Sequence, residues 1–413
     1  MTEPEWTEAH APTPAASLGP LSGLRILDMA TVVAAPFAAS LCADLGAEVL
    51  KLELPDGSDP LRSLAPVEPG HALYWKVLNR GKQGITLDVR KPAGRALFLR
   101  LIEGFDVLVE NFRPGTLDRW GLDLATLHAH QPRLTVLRLT GFGQTGPAAR
   151  RPGFARIFEA MSGLADLCGE PEGRPQHMNF PLGDAMAGLF AAFSLAAEAR
   201  HRQCHPEAPG REIDLSATEA LLRVLEPLAV ERERTGRARQ RTGARASYTA
   251  PSNVYQTLDG AWVTLVGTSD AIFRRLCVAM GQPELGTDPR FASNPARVAH
   301  LALIDTLVAR WCGAQSLAQL SSALSGQEVP FSKVNSIDDV LSDPHFQARG
   351  AFVRLPDPDL GSVPAPATVP RIGGFQPPPP RTGPALGEHN RQVYGALGLS
   401  EAELASLHEQ GVI

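Results

Sequence analysis

Short β-rich runs and helical stretches alternate along the first part of this chain, and this alternation limits the fold more than any other feature. The β-rich run Leu24 to Asp28 is followed by a loop with Pro36 and a helical stretch, Phe37 to Leu45, and then by EVLKLEL. The pattern repeats through GITLDV, a helix from Pro92 to about Glu103, DVLVEN and LTVLRLT. Because a helical crossover returns the next strand in the same direction, the alternation predicts a Rossmann-like α/β layer with a parallel sheet.

Beyond this alternation, the predicted secondary structure changes twice along the chain. A long helix is predicted from Asp184 to Arg200, followed by a strand and helix in REIDLSATEALLRVLEPLAVERERT. Beyond the basic stretch near Gly236, NVYQTLDGAWVTLVG predicts a hairpin around Asp259-Gly260. The Pro-rich residues 354–386 indicate an extended strap rather than packed secondary structure. We therefore predict four segments: a disordered tail (1–20), a large Rossmann-like domain (21–230), a small α+β domain (231–335), and a return strap with a C-terminal helix that completes the large domain (336–413).

Composition excludes several classes of protein. The net charge of -5 and the pI near 6.1 argue against nucleic acid as a partner. The acidic, Pro-rich N-terminus does not resemble a signal peptide, and the richest apolar run, Ala185 to Ala199, is shorter than a membrane span. Five cysteines without a CxxC pair are typical of reduced, mostly buried thiols. We expect a cytoplasmic protein with no membrane partner.

Three familiar motifs are weak here. GFGQTG has the letters of a dinucleotide fingerprint, but Pro147, Pro152 and Gly153 prevent the helix that would hold a pyrophosphate. His201, Cys204 and His205 lie in a polar stretch without a fourth ligand nearby, so no metal site is predicted. No GxSxG or SxxK pattern is present.

Asp184, in FPLGDAMAG, allows two interpretations. As the residue before a strong helix it is a candidate N-cap. As a carboxylate that the helix dipole keeps ionised, beside residues small enough for a ligand to approach the backbone, it is a candidate nucleophile. The residues alone leave both interpretations open.

Several longer stretches resemble the class III CoA-transferases, the family of formyl-CoA transferase and carnitine CoA-transferase. The similarity covers nearly everything after residue 20 and rests on the combination of LSGLRILDMATVVAAPFAASLCADLGAEVLKLE, NRGKQGITLDV, DVLVENFRPGTLDRWGL, LTGFGQTGP, PLGDAMAG, REIDLSATEA and PALGEHNRQVYGALGLS. The resemblance implies ring-shaped chains that form an interlocked homodimer. It also implies a coenzyme A thioester as substrate, with no metal and no permanently bound cofactor.

The resemblance also implies roles for individual residues. Asp184 matches the family's catalytic aspartate, which forms an aspartyl mixed anhydride and then an aspartyl-CoA thioester. The implied CoA contacts are Val33, Ala34, Leu87, Asp88, Val89, Arg90, Asn111, Phe112, Arg113 and Arg119. The family's usual basic residue after the second strand is Leu54 here, and Arg62, Lys82 or Arg90 is the expected replacement. Backbone amides in the first turn of the Asp184 helix and in the Gly141 to Gly146 turn are the expected oxyanion donors.

The acyl partner is expected to lie near Phe142, Gly143, Phe154 and Arg156. Arg156 stands where formyl-CoA transferase has an acidic residue, so a dicarboxylic substrate is one interpretation and a surface or structural ion pair is the other. Two other functions are weighed. An α-methylacyl-CoA racemase needs a histidine at the position of Phe154, and Phe cannot move a proton. A non-catalytic CoA-binding protein would not need Asp184.

Overall fold

The structure is a computed structural model that describes residues 19–379 and 381–413, so most of the predicted N-terminal tail lies outside the described residues. Thirteen strands are assigned there: β1 (Arg25–Asp28), β2 (Glu48–Glu53), β3 (Val67–Glu68), β4 (His71–Ala72), β5 (Gln83–Thr86), β6 (Val107–Glu110), β7 (Thr135–Thr140), β8 (Glu212–Ser216), β9 (Ser252–Gln256), β10 (Trp262–Val266), β11 (Phe331–Lys333), β12 (Phe352–Asp357) and β13 (Gly361–Pro366).

Eighteen α-helices connect and cover these strands in the described part of the chain. They are α1 (Ala34–Asp44), α2 (Leu73–Leu78), α3 (Pro92–Ile102), α4 (Thr116–Arg119), α5 (Leu124–His130), α6 (Ala155–Met161), α7 (Leu164–Leu167), α8 (Leu182–Cys204), α9 (Ala217–Val224), α10 (Pro227–Thr235), α11 (Asp270–Ala279), α12 (Asn294–Ala299), α13 (Leu301–Gly313), α14 (Leu317–Gly326), α15 (Ile337–Ser342), α16 (Pro344–Ala348), α17 (Asn390–Ala396) and α18 (Glu401–Glu409). Two short 3₁₀ helices span Pro60–Arg62 and Pro283–Gly286.

Six parallel strands form the main sheet, in the order β5-β2-β1-β6-β7-β8. Ile26 of β1 pairs with Val49 of β2 on one side and with Val107 of β6 on the other. Counted along the chain within this sheet, the order is 3-2-1-4-5-6, the Rossmann arrangement. The predicted α/β class with a parallel sheet is therefore confirmed. The strand order reverses between β1 and β6, and ligands of such sheets bind beyond the carboxyl ends of the strands at that point.

Helices bury both faces of this sheet. On one face α1 and α8 pack against each other and against residues such as Ile26 and Val107. On the other face the core includes Phe98 of α3 and Tyr394 of α17. Helix α8 is also long and apolar enough, by length and composition alone, to cross a membrane. The helix of a packed core passes the same test, and Ala187, Ala191 and Leu195 of α8 are fully buried in this core.

The chain divides into two compact units: Met1–Leu164 with His177–Pro227 and Pro344–Ile413, and Ala165–Gln176 with Leu228–Asp343. The second unit holds the antiparallel sheet β11-β10-β9, and its core includes Phe273 of α11 and Val308 of α13. β9 and β10 form the hairpin predicted around Asp259-Gly260, with Val263 opposite Tyr255.

The Pro-rich segment differs from its prediction in its first part. β12 and β13 form an antiparallel hairpin with Arg354 opposite Pro364, so the expectation of an extended strap is wrong there. A two-stranded ribbon has only edge strands, and proline is tolerated on an edge where its missing N–H faces away from the partner. Residues 367–379 have no helix or strand, and the GFGQTG turn is not followed by a helix.

Candidate active site

The loops that follow β1 and β6 are joined at the point where the strand order reverses. The side chain of Asn111 accepts a hydrogen bond from the Thr31 amide at 2.8 Å and donates one to the Thr31 carbonyl at 2.7 Å. Both polar ends of this amide are therefore engaged in holding the two loops together. Asn111, one of the implied CoA contacts, therefore shapes the crevice, and one amide hydrogen and one oxygen lone pair of its side chain remain for a ligand.

The loop after β1 has an unusual backbone. Val32 has a φ of 66°, a left-handed conformation that a β-branched residue rarely adopts. Its amide donates to Asp59 Oδ1 at 3.0 Å, and the same oxygen accepts from the Leu61 amide. The side chain of Lys51 is fully buried beneath the loop and donates to the Ala30 carbonyl. Strain of this kind persists where the surroundings hold it, and it is common at ligand sites.

A second buried lysine completes this support. Lys82 Nζ donates to Asp28 Oδ2 at 2.8 Å, to the Pro36 carbonyl at 2.7 Å and to Asn79 Oδ1 at 2.8 Å. Burial lowers the pKa of Lys82 to about 8, although Asp28 opposes the shift. Asp28 is buried too, and Lys51 and Lys82 hold its pKa below the ordinary value against the opposing effect of burial.

None of the three expected replacements for a basic residue at Leu54 is a free cation. All three hydrogens of the Lys82 ammonium are used inside the fold, so the expectation that Lys82 contacts CoA is wrong. Arg62 makes a two-fold hydrogen bond to Glu53, with both distances at 2.7 Å, and its guanidinium lies over the Trp75 ring. Arg90 pairs in the same way with Asp88, although about half of its side chain remains exposed.

The other implied CoA contacts divide by exposure. Leu87 and Val89 are buried in the core, and Val33 and Ala34 are nearly so, which leaves chiefly their backbone atoms for a ligand. The Asp88 amide already donates to the Val412 carbonyl at 2.7 Å. Phe112 is half-buried and packs edge-on against Trp120. Arg113 and Arg119 are exposed at the carboxyl side of β6, where a phosphate could reach them.

Asp184 lies one turn further into its helix than predicted. α8 begins at Leu182 with Pro181 as the N-cap, so Asp184 is the third helical residue and the N-cap interpretation is wrong. Two of the first three amides are already bonded: Leu182 donates to the Phe180 carbonyl and Gly183 to Glu159 Oε1. In the Gly141 to Gly146 turn, the Gln144 amide donates to Asp214. The supply of oxyanion donors is therefore smaller than expected.

The Asp184 carboxylate is buried and unpaired. Asp184 is 8% exposed, and its carboxylate makes no hydrogen bond or ion pair with any residue that the structure describes. Burial, and then the charge of Glu159, raise the pKa of Asp184 to about 7. Desolvation and a like charge therefore act against the helix dipole, which was expected to keep this group ionised. Burial, with a contribution from the Asp184 charge, raises the pKa of Tyr74 to about 12.

Two residues beside Asp184 were missed in the sequence. Glu159 of α6 is 2% exposed, and its Oε1 accepts the Gly183 amide at 3.0 Å. Its Oε2 lies 2.7 Å from Nδ1 of His177. In the sequence Glu159 is one acidic residue in a short helical stretch, and His177 is one of eleven histidines, so neither has a pattern that could have identified it.

The small residues of α8 serve helix packing rather than ligand approach. A Cβ at Gly188 would lie 2.7 Å from the Ala34 carbonyl oxygen, and one at Gly183 would lie 2.9 Å from the Ala155 carbonyl oxygen. α8 therefore approaches the starts of α1 and α6 more closely than any side chain would permit.

The four residues expected around the acyl group lie on the loop after β7 and on α6. Phe142 packs edge-on against Phe158 with ring centroids 5.7 Å apart, and Gly143 has a φ of 81° that suits glycine. Phe154 and Arg156 are exposed, and Arg156 has no hydrogen-bond or ion-pair partner among the described residues. Within the described residues of this chain, Arg156 therefore forms neither a surface nor a structural ion pair.

A cavity of about 490 Å³ lies between the loops after β6 and β7, and its lining includes Gly115, Asp118, Arg138, Gln144 and Arg150. None of the four expected acyl-pocket residues lines it.

The family model for CoA-transferase family III matches residues 21–390. The chain belongs to this family. As a family III CoA-transferase, it uses a coenzyme A thioester as substrate and needs no permanently bound cofactor. The family resemblance that the sequence motifs carried is confirmed.

Curated relatives of this CoA-transferase are named for dicarboxylic acids. Succinyl-CoA--D-citramalate CoA-transferase of Chloroflexus aurantiacus is 42% identical, over 95% of this chain and 98% of its own. Succinate--glutarate CoA-transferase of Agrobacterium fabrum is 35% identical, over 92% and 96%. Among solved structures, a CAIB/BAIF family protein from Brucella suis is 33% identical with a TM-score of 0.80, covering 92% of this chain and all of that one.

Proposed function

We propose that this chain moves CoA from an acyl-CoA donor to a free carboxylic acid, with Asp184 as the nucleophile. The observation that carries the proposal is the buried Asp184 carboxylate, which has no partner among the described residues. Burying an unpaired carboxylate costs free energy, and a group with no structural bond of its own does not repay that cost through the fold. Perturbed carboxyl groups of this kind are concentrated at catalytic sites.

The reaction proceeds in four balanced steps. The Asp184 carboxylate attacks the thioester carbonyl, the C–S bond breaks, and a mixed anhydride and CoA thiolate form. The thiolate then attacks the aspartyl carbonyl, which releases the donor acid and leaves an aspartyl-CoA thioester. The acceptor carboxylate attacks this thioester to give a second anhydride and thiolate. Attack of the thiolate on the acyl carbonyl forms the new acyl-CoA and restores Asp184.

The CoA moiety is proposed to lie along the carboxyl edge of the sheet. The exposed Arg113 and Arg119 are placed to contact phosphate, and Arg90 is a third candidate because its side chain is half exposed. Val33, Ala34, Leu87, Asp88 and Val89 would contribute backbone atoms and shape, and Asn111 and Phe112 would hold the loop that carries Arg113.

Dicarboxylic acids are the proposed acyl partners. The relatives' names support this class, and Arg156 offers a guanidinium without an internal partner on the helix that carries Glu159. A planar guanidinium can bind the second carboxylate of such a substrate through two hydrogen bonds. Phe142, Gly143 and Phe154 are proposed to border the acyl group.

The active form is proposed to be an interlocked homodimer in the cytoplasm, with the predicted large and small domains and a C-terminal segment that returns to the large domain. Support comes from apolar side chains left exposed near Asp184, including Phe154 at 68%, Phe193 at 72%, Ile157, Met178 and Phe180. Apolar surface of this extent around a site is typical of an interface. A second copy of the chain is the occupant that the family implies.

The test is a screen of donors against acceptors. Succinyl-CoA and acetyl-CoA are incubated with citramalate, malate, glutarate, oxalate and butyrate, and new thioesters are measured by mass spectrometry. Transfer to the longer dicarboxylic acids is expected. Isomerisation of a 2-methylacyl-CoA without transfer would show that the racemase interpretation is correct instead.

A further inference from the structure

The carboxylate of Glu159 is held from two sides. One oxygen accepts the amide hydrogen of Gly183, the residue before Asp184, and the other lies 2.7 Å from Nδ1 of His177. Since an ionised carboxylate can only accept, the Nδ1 atom carries the proton in this bond. Glu159 comes from α6 and His177 from the segment before α8, so the pair fixes α8 to two separate parts of the chain.

We propose that Glu159 and His177 are positioning residues for Asp184: Glu159 fixes the first turn of α8 and places a negative charge beside the nucleophile, and His177 keeps Glu159 in place. This inference rests on the proposed function. It adds two residues to the site, neither of which needs to touch the substrate.

The geometry gives Glu159 two separable effects. Its hydrogen bond occupies an amide at the helix start that has no intrahelical partner, which is the role of a cap supplied by another element. Its charge lies close to a buried carboxylate and favours the protonated form of Asp184. A carboxylate of higher pKa is the more basic nucleophile. The Glu159 charge therefore favours the protonated form of Asp184 at low pH and makes its ionised form more reactive.

Few other titratable groups act on this turn. Among the described residues, the titratable groups near the first turn of α8 are Glu159 from α6, His177 before α8 and Tyr74 from α2. Burial keeps the pKa of Tyr74 near 12, so Tyr74 stays neutral through the range in which Asp184 titrates. A shift in that range after a change at Glu159 therefore comes from the Glu159–His177 pair and not from Tyr74.

The first experiment measures the titration of Asp184 directly. The protein is labelled with ¹³C at the aspartate carboxyl carbons, and the Asp184 signal is assigned by its loss in Asp184→Asn. In Glu159→Gln, which keeps an acceptor oxygen for the Gly183 amide but no charge, the Asp184 midpoint is expected to fall by roughly half a pH unit or more. The acid limb of the kcat profile should move the same way. An unchanged midpoint in a folded Glu159→Gln protein overturns the proposal.

Glu198 offers a matched control. It is also a buried glutamate, but it lies on α8 fourteen residues beyond Asp184, about 21 Å along the helix, and bonds to Arg211 and Thr135. Glu198→Gln should leave the Asp184 midpoint in place. An equal shift in this variant would show that the effect is not specific to Glu159.

The second experiment tests His177 and does not depend on Glu159→Gln folding. His177→Ala is expected to lower kcat about tenfold with little change in KM for the CoA thioester, because only positioning is lost. His177→Asn, whose amide nitrogen can replace Nδ1 as the donor, should restore most of the rate. Equal rates in the two variants overturn the proposed role of His177.

The proposed function can fail separately. If no donor and acceptor support transfer, yet the Asp184 midpoint falls in Glu159→Gln, the charge relationship stands and the transferase mechanism does not.

Discussion

The carbonyl oxygen of Ala34 lies where a side chain on Gly188 would be, 2.7 Å from the position of its Cβ. Ala34 begins α1 directly after the strained loop that follows β1, and Gly188 is one turn beyond Asp184 on α8. This close approach ties the helix of the proposed nucleophile to the edge of the sheet where ligands of such folds bind.

Replacing Gly188 with Ala tests this approach. The added methyl would lie 2.7 Å from the Ala34 carbonyl oxygen and 2.9 Å from the Phe37 ring. Because the backbone oxygen cannot turn aside, α8 must move, and we expect transfer activity to fall at least tenfold. Gly395, the next-to-last residue of α17, has open space around it and is the matched control. Gly395→Ala should keep full activity and gain up to about 1 kcal/mol in stability. Full activity in Gly188→Ala would show that the contact does not position Asp184.

Asp184→Asn should stabilise the protein at alkaline pH. The pKa of Asp184 is raised from 3.8 to about 7 in the folded chain. Below pH 4 the group is protonated in both the folded and the unfolded chain, and as the pH rises to 7 the unfolded chain ionises first, so the free energy of unfolding falls. An amide does not ionise, so the variant should melt a few degrees higher than the wild type at pH 8. At pH 4 the difference should disappear. Melting curves at both pH values check this, and equal melting at pH 8 would contradict it.

Lys82→Met should damage the fold rather than CoA binding. Removing one member of a buried charge group leaves Asp28 with fewer partners and typically costs about 3–5 kcal/mol. The measurement is urea unfolding of wild type and variant, together with KM for the CoA thioester at a temperature where both are folded. A raised KM with unchanged stability would restore Lys82 as a CoA contact.

Arg119→Ala should raise KM for the CoA thioester and change kcat less. A phosphate contact far from the reacting carbonyl contributes equally to the ground and transition states. Arg391, which is exposed on α17 and pairs with Glu401, is the control position. If the two alanine variants have the same KM, Arg119 does not hold CoA.

Arg156→Ala should discriminate between acceptors. Loss of the guanidinium is expected to raise KM for succinate or citramalate by about tenfold or more and to leave KM for butyrate unchanged, since butyrate has no second carboxylate. Arg156→Lys keeps the charge but not the planar pair of donors and should fall between the two. Equal effects on both classes of acid would mean that Arg156 does not select dicarboxylates.

The sequence predicts the sheet well and the interior of the site poorly. Apolar runs separated by helical stretches determine the parallel strands, and Gly46 ends α1 where predicted because it adopts a φ of 98°. The buried partners of Lys82 and the contacts of Glu159 join residues far apart in the chain, and no spacing indicates them. The N-cap interpretation of Asp184 is wrong because α8 starts at Leu182, two residues before Asp184. Glu159, which lies outside this helix, accepts the Gly183 amide in its first turn.

The most direct measurement is to trap the covalent intermediate. The protein is incubated with succinyl-CoA and no acceptor, treated with hydroxylamine, digested, and analysed by mass spectrometry, with Asp184→Asn carried through in parallel. If Asp184 is the nucleophile, the peptide that contains PLGDAMAG carries a hydroxamate at Asp184, and the Asn variant carries none. A hydroxamate on another residue, or transfer at the wild-type rate by Asp184→Asn, would contradict the proposed mechanism.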